Sequence, residues 1–482
     1  MEASEQPRET PPPVTSDGRK VLRNTIYLSA AQVLTIPISI AVSGMTAHHL
    51  GPVEFGYLYL GYTFCGFAFI LVEWGQQGVL PAVIARDHSR AGGLLGASLA
   101  WRFAAAIVTY IVLAVVCHLA GYGAEPQWAI GLSFCIYTLS SLIAAFRDVI
   151  RGFERTDIPA YAQVGQQLLV VTTLATVFAL GGKMRGALGS QIFAAAVVAV
   201  VLWRAMRLVG VRSLTFERGA LKGLLKEGTP FVFFNLALAL QPNIDAVYLS
   251  KLAPPEVTGW FAVRTGLVAA LLFPASALLG ALYPTLSRLY TTDLKSFIQV
   301  ARGALHSVAL VVVPVALGCA LYPEIGTSIY SRKSFIHSED DLRVSALFLF
   351  LVYFSMPLGS CIVAAGKQRA WSVVQGMCVV VSLVLDPLLL PWFQRHTGNG
   401  GIGICVALAI SEALVVTCGV ALAPRGIFDR RFARGMGLAL FSGGVMTLAA
   451  YLMKPITPFV AAPIAVAAYA VALIATGGIE KA

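Results

Sequence analysis

Apolar runs of about 20 residues, separated by short polar segments, recur along nearly the whole chain. Each run is long enough to cross a hydrocarbon layer of about 30 Å as a helix. Backbone polar groups inside lipid must be bonded within the segment, so the pattern predicts an all-α polytopic membrane protein. The pattern gives fourteen spans, at roughly 25–45, 58–80, 95–119, 128–146, 162–181, 187–203, 229–250, 260–286, 303–322, 344–365, 371–391, 401–423, 435–453 and 456–477.

The basic residues lie mostly on one side of these predicted spans. The chain has 35 Lys and Arg against 24 Asp and Glu, and most of the basic residues lie in the tail and in every second connection. Basic connections stay on the cytoplasmic side, so both termini are predicted to be cytoplasmic in a cell inner membrane. The positive charge therefore fits a membrane protein in contact with anionic lipids, and we expect no nucleic-acid partner.

The composition of each segment suggests five regions. Residues 1–23 are rich in proline and charge and are predicted to form a disordered cytoplasmic tail. Two halves of six helices follow at 24–208 and 229–424, joined by a basic cytoplasmic linker at 209–228. Two extra helices and the C-terminus occupy 425–482. The eight cysteines all fall inside apolar runs, which is typical of packing residues and not of a disulfide framework.

One phrase occurs twice, as LGPVEFGYLYLGY from Leu50 and as LAPPEVTGWFAVRTG from Leu252. Gly56 aligns with Gly259 and, in the same register, Pro81 aligns with Pro284. The second predicted span therefore matches the eighth, which gives a period of six spans and two parallel pseudo-repeats. Parallel repeats are an architecture of secondary transporters with a substrate path between the halves. A duplicated structural bundle is the alternative.

Four segments in this order and spacing resemble the polysaccharide transporter family of the multidrug/oligosaccharidyl-lipid/polysaccharide exporter superfamily. They are LGPVEFG, EWGQQGVLPAVIAR, GTPFVFFNLALALQPNIDAVYLSKLAPPEVTGWFAVRTG and GIGICVALAISE. The family includes flippases for O-antigen and exopolysaccharide repeat units. The resemblance implies translocation of undecaprenyl-pyrophosphate-linked oligosaccharides by alternating access, through a cationic cavity. Fourteen spans argue against the multidrug branch, whose members usually have twelve.

Ionisable residues inside the spans are the candidate site residues, because a charge near the bilayer centre costs at least about 2.5–3.5 kcal/mol. They are Glu73, Arg102, Asp245, Arg264, Asp386 and Glu412.

Arg264 and Arg102 are the candidate substrate-binding cations. Arg264 stands where the first half has Gly61, and a guanidinium facing a central cavity suits a pyrophosphate. Its alternatives are an ion pair with Asp245 and snorkelling to the interface. Arg102 lies near the cytoplasmic end of its span, so snorkelling competes with a place in the cavity.

The four acidic residues are candidates for ion coupling or for charge pairs. Asp245 is predicted either to pair with Arg264 or to bind a coupling H⁺ or Na⁺. Glu73, Asp386 and Glu412 are open to the same functional interpretation or to plain helix–helix hydrogen bonds. The sequence indicates no metal site and no cofactor.

The absence of a GxxxxGK[ST] motif means that an ion gradient, the membrane potential or the substrate gradient would drive transport. An ion-coupled small-molecule antiporter and a peptidoglycan-precursor flippase remain alternatives within transport. A membrane glycosyltransferase or polymerase would need acidic residues in a sizeable outer loop, and the segment Ser338–Asp341 is the only acidic cluster there. We therefore expect a protein that is not an enzyme.

Overall fold

The computed structural model describes residues 16–211 and 213–478, and the regular structure in this part is helical. The α-helices are α1 Ser16–Glu73, α2 Leu80–Arg86, α3 Ala91–Leu119, α4 Ala124–Gly152, α5 Asp157–Ala179, α6 Met184–Leu208, α7 Arg218–Leu252, α8 Pro255–Thr292, α9 Leu294–Leu321, α10 Pro323–Ser328, α11 Ser338–Ala364, α12 Gln368–Thr397, α13 Gly401–Leu422, α14 Arg430–Leu452 and α15 Pro458–Ala475. Helix α1 begins inside the predicted tail, whose residues before 16 lie outside the described residues, as does residue 212 of the predicted linker.

Within the described residues, 12 helical segments are long and apolar enough to cross a membrane. This confirms a multi-pass helical membrane protein but does not confirm the predicted count of fourteen. Two features account for the difference. The segment Ala30–Glu73 is counted once although it has 44 residues, and α7 is not among the 12.

Helix α1 is broken at Gly51, where the backbone adopts φ 71°. This left-handed conformation is readily open to glycine and costly for residues with a Cβ. The following Pro52 has no N–H to donate, so the helical hydrogen-bond ladder is interrupted at the same place. The sequence Gly51-Pro52, which opens the first copy of the repeated phrase, thus divides α1 into two helical parts.

Each half has its own apolar core. In the N-terminal half, buried side chains of α2, α3, α4 and α6 pack together, among them Leu80, Leu95, Val149 and Leu202. In the C-terminal half, α8, α9 and α11 form a larger core that also includes buried residues of α14 and α15. Helix α14 packs on α9 and α15, and α15 also contacts α9 and α10. The last two helices therefore flank one edge of the C-terminal half.

The two copies of the repeated phrase pack directly against each other. A Cβ at Gly56 would lie 2.8 Å from the carbonyl oxygen of Pro255 and 2.9 Å from the backbone nitrogen of Gly259. A Cβ at Gly259 would overlap the carbonyl of Pro52. Backbone thus meets backbone where α1 and α8 cross, and the absence of both side chains is what permits this approach. The halves are joined at the end predicted to be outer.

Helix α7 adds further contacts between the halves at both of its ends. Near its start, the indole nitrogen of Trp74 donates to the carbonyl of Leu225 at 3.1 Å. At its other end, Lys251 donates to the carbonyl of Ala120 and lies 3.5 Å from the ring centre of Tyr122. The Tyr122 hydroxyl is also 2.6 Å from that of Ser250. Both ends of the molecule are therefore bridged in this conformation.

The same capping interaction follows the second and the eighth predicted spans. The Asp87 carboxylate accepts from the hydroxyl and the N–H of Ser89, and Asp293 accepts from the hydroxyl and N–H of Ser296 and the N–H of Lys295. These hydrogen bonds, from the serine hydroxyls above all, lower the pKa of both carboxyl groups below its usual value. Asp87 thus caps the short turn 88–90 that leads into α3, and Asp293 caps α9 directly.

The contact between Gly56 and Gly259 gives a first testable prediction. Gly259→Ala is expected to lower the free energy of unfolding by about 1–3 kcal/mol, because the new methyl group forces two backbones apart. Gly189→Ala is the control, since a Cβ on that α6 glycine meets nothing within 4 Å. Thermal unfolding in detergent measures both variants. Equal unfolding temperatures for the two would contradict a backbone contact between the halves.

Candidate functional site

A cavity of about 430 Å³ lies between the two halves. Its walls come from α1, α4 and α7, and Phe69, Glu73, Tyr137 and Asn235 line it. The side chain of Glu73 is 29% exposed, so its carboxylate borders this space. Among the six predicted site residues, Glu73 is the one that lines this cavity.

Arg102 lies directly behind Glu73, inside the N-terminal half, and is 2% exposed. Its Nη1 donates to Ser141 Oγ at 2.7 Å, and its Nε lies 3.3 Å from Gln76 Oε1 and 3.2 Å from Ser98 Oγ. Nη1 is 3.8 Å from the Glu73 carboxylate. The guanidinium is thus held within the bundle and does not snorkel. It positions Gln76 and places positive charge behind the cavity wall.

Arg264 is buried in the C-terminal half and is 4% exposed. Its Nε donates to Ser345 Oγ of α11 at 2.5 Å, and its guanidinium lies 5.3 Å and 5.2 Å from the ring centres of Phe261 and Phe348. No ion pair within 4.0 Å joins it to a carboxylate in residues 16–211 and 213–478. Its Nη2 has no hydrogen-bond partner there, so a buried, charged donor group is left unused.

Asp245 and Asp386 form a pair that the sequence alone does not indicate. They come from α7 and α12, are 3% and 0% exposed, and their carboxyl groups lie close enough to interact. No donor from the described residues reaches either oxygen of Asp386. Two buried carboxylates in contact cannot both stay charged without help, so the pair requires a shared proton or a bound cation.

The remaining acidic candidates are engaged in contacts between helices. Glu412 of α13 contacts the hydroxyl of Ser355 in α11. In the acidic cluster at the start of α11, Asp341 is buried and accepts from Asn399 at 3.0 Å. Glu339 accepts from Arg332 at 3.0 Å. These bonds join α11 to the segments around it, which is a structural role.

An apolar cavity of about 290 Å³ lies where α14 and α15 cover the C-terminal half. Leu267 of α8, Leu342 of α11, Met446 of α14 and Val466 of α15 line it. Leu267 lies three residues after Arg264, close to one helical turn, so the apolar space begins one turn away from the buried guanidinium.

Two halves built of membrane helices define this protein as a multi-pass helical membrane protein, and comparison with solved structures finds the same fold in membrane transporters. "Lipid II flippase MurJ, inward closed conformation" matches with a TM-score of 0.73 and 13% identity, over 94% of this chain and 99% of that one. The inward-facing conformation of a multidrug resistance MATE family transporter matches with a TM-score of 0.65 and 14% identity, over 87% and 99%. A transporter described as a member of the MOP superfamily, from Pyrococcus furiosus, matches with a TM-score of 0.56 and 14% identity, over 84% of this chain and 94% of that one.

The family itself follows from the sequence comparison. A family model described as "Polysaccharide biosynthesis protein" matches residues 21–290, which is more than half of the chain. The chain therefore belongs to this family, and the resemblance seen in the motifs is confirmed. Comparison with curated protein sequences finds no match.

The two buried charge clusters should respond differently to substitution. Arg102→Leu is expected to lower the free energy of unfolding by about 3 kcal/mol, because it leaves several buried polar groups without their donor. Asp386→Asn is expected to change it by less than about 1 kcal/mol, because the amide supplies a donor where two acceptors meet. Thermal unfolding in detergent compares them. A larger loss for Asp386→Asn would contradict this assignment.

Proposed function

We propose that this protein is a flippase that moves undecaprenyl-pyrophosphate-linked oligosaccharide repeat units across the cell inner membrane for surface or exopolysaccharide biosynthesis. The observation that carries the proposal is the apolar cavity beneath α14 and α15, which begins one helical turn from Arg264. A lipid-linked pyrophosphate needs an anion site and an apolar site close together, and these two features provide them. Membership of a polysaccharide biosynthesis family supports the same substrate class.

The chemistry of Arg264 fits the pyrophosphate. Arginine stays charged even when it is buried, and its planar donors bind phosphate oxygens in pairs. One of its terminal nitrogens is unused, while Ser345 and the two Phe rings hold the rest of the group in place. In this conformation the side chain lies inside its own half. Substrate binding by Arg264 therefore requires the halves to rearrange, as alternating access does. Arg102 acts on the substrate path through Glu73.

The topology that we propose has fourteen crossings with both termini in the cytoplasm. The segment Ala30–Glu73 has 44 residues, about twice what a bilayer requires, and its break at Gly51 provides the turn between two crossings. Helix α7 has 35 residues and contacts the N-terminal half at both ends, so it spans the same thickness. These two additions bring the 12 apolar segments to fourteen.

The Asp245–Asp386 pair is the proposed coupling site. A shared proton or a Na⁺ ion would neutralise the buried carboxylates, and binding of either ion would change how α7 and α12 pack. Helix α7 bridges the halves at both ends, so a change in its position affects both closures. Transport by membrane vesicles under a proton gradient and under a sodium gradient distinguishes the two ions.

Two alternatives within transport differ in their substrates. A small-molecule antiporter shares the fold but has no use for an apolar cavity beside a buried cation. A peptidoglycan-precursor flippase, as the name of the MurJ structure implies, has the same physical requirements as the proposed function. An enzyme is disfavoured because Asp341 and Glu339, which the acidic cluster would supply, are engaged in structural hydrogen bonds.

Deleting the gene in its host is expected to cause lipid-linked repeat units to accumulate and the surface polymer to be lost. Wild type restores export, whereas Arg264→Gln is expected to lower it at least about tenfold, because it removes charged hydrogen bonds to the pyrophosphate. The control is Arg185→Gln on α6, whose ion-pair partner Glu125 is equally exposed. Normal polymer from a well-expressed Arg264→Gln variant would contradict the role of this cation.

The apolar cavity gives a separate prediction in the same strain. Ala462→Trp fills the cavity and is expected to block export of the lipid-linked substrate, while the protein remains in the membrane. Ala470→Trp is the matched control, because this α15 residue is exposed and does not line the cavity. If Ala462→Trp supports as much polymer as Ala470→Trp, the cavity does not hold the lipid.

A further inference from the structure

A third cavity, of about 490 Å³, lies within the N-terminal half and is closed on one side by α8. We call this space the neutral chamber. Helices α1, α4, α5, α6 and α8 line it, and more than half of the lining residues are Ser, Thr, Gln or Tyr. None of them is Asp, Glu, Lys, Arg or His. The hydroxyls of Ser39, Thr46 and Thr265 donate to carbonyls of their own helices, so the glutamine side chains carry the unused hydrogen-bonding groups that suit water or a polar ligand.

Two neighbouring glutamines in α5 present opposite hydrogen-bonding groups to the chamber. The carbonyl oxygen of Gln166 accepts from Arg147 at 3.2 Å, so its amide NH₂ is left to donate. Gln167 donates its amide to Ser39 Oγ at 3.2 Å, and the Ser39 hydroxyl in turn donates to the carbonyl of Thr35. The carbonyl oxygen of Gln167 is therefore left to accept. The arginine and the serine fix these orientations.

A donor beside an acceptor matches the neighbouring hydroxyl groups of a sugar, each of which can both donate and accept. Tyr59 and Tyr62 add aromatic faces for the apolar side of a sugar ring, and Gln191 of α6 lines the same space. The buried Tyr62 hydroxyl has no hydrogen-bond partner among the described residues. The volume is within the range of about 300–1,000 Å³ that ligand sites occupy. No charged residue lines the chamber, and Arg147 is engaged with Gln166, so a phosphate or a carboxylate has no ion-pair partner among the lining residues.

The neutral chamber also lies next to the cation proposed for the pyrophosphate. Thr265 of α8 lines it, and the preceding residue, Arg264, points to α11 on another side of the same helix. We infer that the neutral chamber binds an uncharged sugar residue of the lipid-linked glycan, with Gln166, Gln167 and Gln191 as the positioning residues. This inference rests on the proposed function, because only a glycosylated substrate would reach both sites.

The test measures binding of two probes to purified protein in lipid nanodiscs. One probe is undecaprenyl pyrophosphate, and the other is the lipid-linked oligosaccharide extracted from the strain that lacks the gene. We expect wild type to bind the glycosylated probe more tightly. Gln167→Leu and Gln191→Leu are each expected to weaken that binding about tenfold, while affinity for undecaprenyl pyrophosphate stays the same.

Gln163→Leu is the matched control. Gln163 lies one turn before Gln167 on α5 and donates to Thr35 at 3.3 Å, much as Gln167 donates to Ser39, but it does not line the chamber. If Gln167 has only a structural role, Gln163→Leu and Gln167→Leu weaken binding of the glycosylated probe equally, and that result would overturn the inference. Equal wild-type affinity for the two probes would also overturn it, with the flippase proposal intact. If wild type binds neither probe, the proposed function itself fails.

Discussion

Polar groups inside the hydrocarbon layer need hydrogen-bond or ion-pair partners within the protein, because lipid supplies none. The buried charged residues of this molecule differ in how many such partners they have. Arg102 meets this need in larger part, since Ser141, Ser98 and Gln76 bond to its guanidinium and one nitrogen, Nη2, is left without a partner among the described residues. Arg264 and the Asp245–Asp386 pair meet it less well. Among the described residues Arg264 makes one hydrogen bond and has no carboxylate within 4.0 Å, and neither oxygen of Asp386 has a donor. The missing hydrogen-bond partners at these two places are the physical reason to expect a bound ligand or ion there.

The second constraint is the contact between the two halves. Gly56 and Gly259 occupy equivalent places in the repeated phrase, and each lacks the side chain that would keep α1 and α8 apart. A contact made by backbone alone can close tightly without any bond that must be broken on opening. The polar contacts at the two ends of α7 are of another kind, because they join specific partners such as Trp74 and Leu225. The outer end is closed both by the glycine contact and by the polar contacts of Ser250 and Lys251, and the other end is closed by contacts that include Trp74 with Leu225.

Much of this architecture could be predicted from the sequence. The apolar periodicity predicted the membrane helices, and the repeated phrase identified Gly56 and Gly259 as equivalent before their contact was known. The sequence does not show which neighbouring helix each charged side chain faces, because side chains project on all sides of a long helix such as α7. Asp245 and Asp386 are 141 residues apart, and no local pattern shows that α7 lies beside α12. The neutral chamber was not predicted either, because single Ser and Gln residues in apolar runs are common helix–helix contacts.

The central claim is that this chain itself moves a lipid-linked oligosaccharide across a bilayer. The direct measurement uses purified protein in sealed vesicles that hold the glycosylated lipid in both leaflets, with a membrane-impermeant reagent that modifies the exposed sugar. The account predicts that wild type makes the protected inner fraction reactive, and that vesicles with Arg264→Gln keep it protected. If the inner fraction stays protected with folded wild-type protein, both under an imposed proton gradient and under an imposed sodium gradient, the account is contradicted.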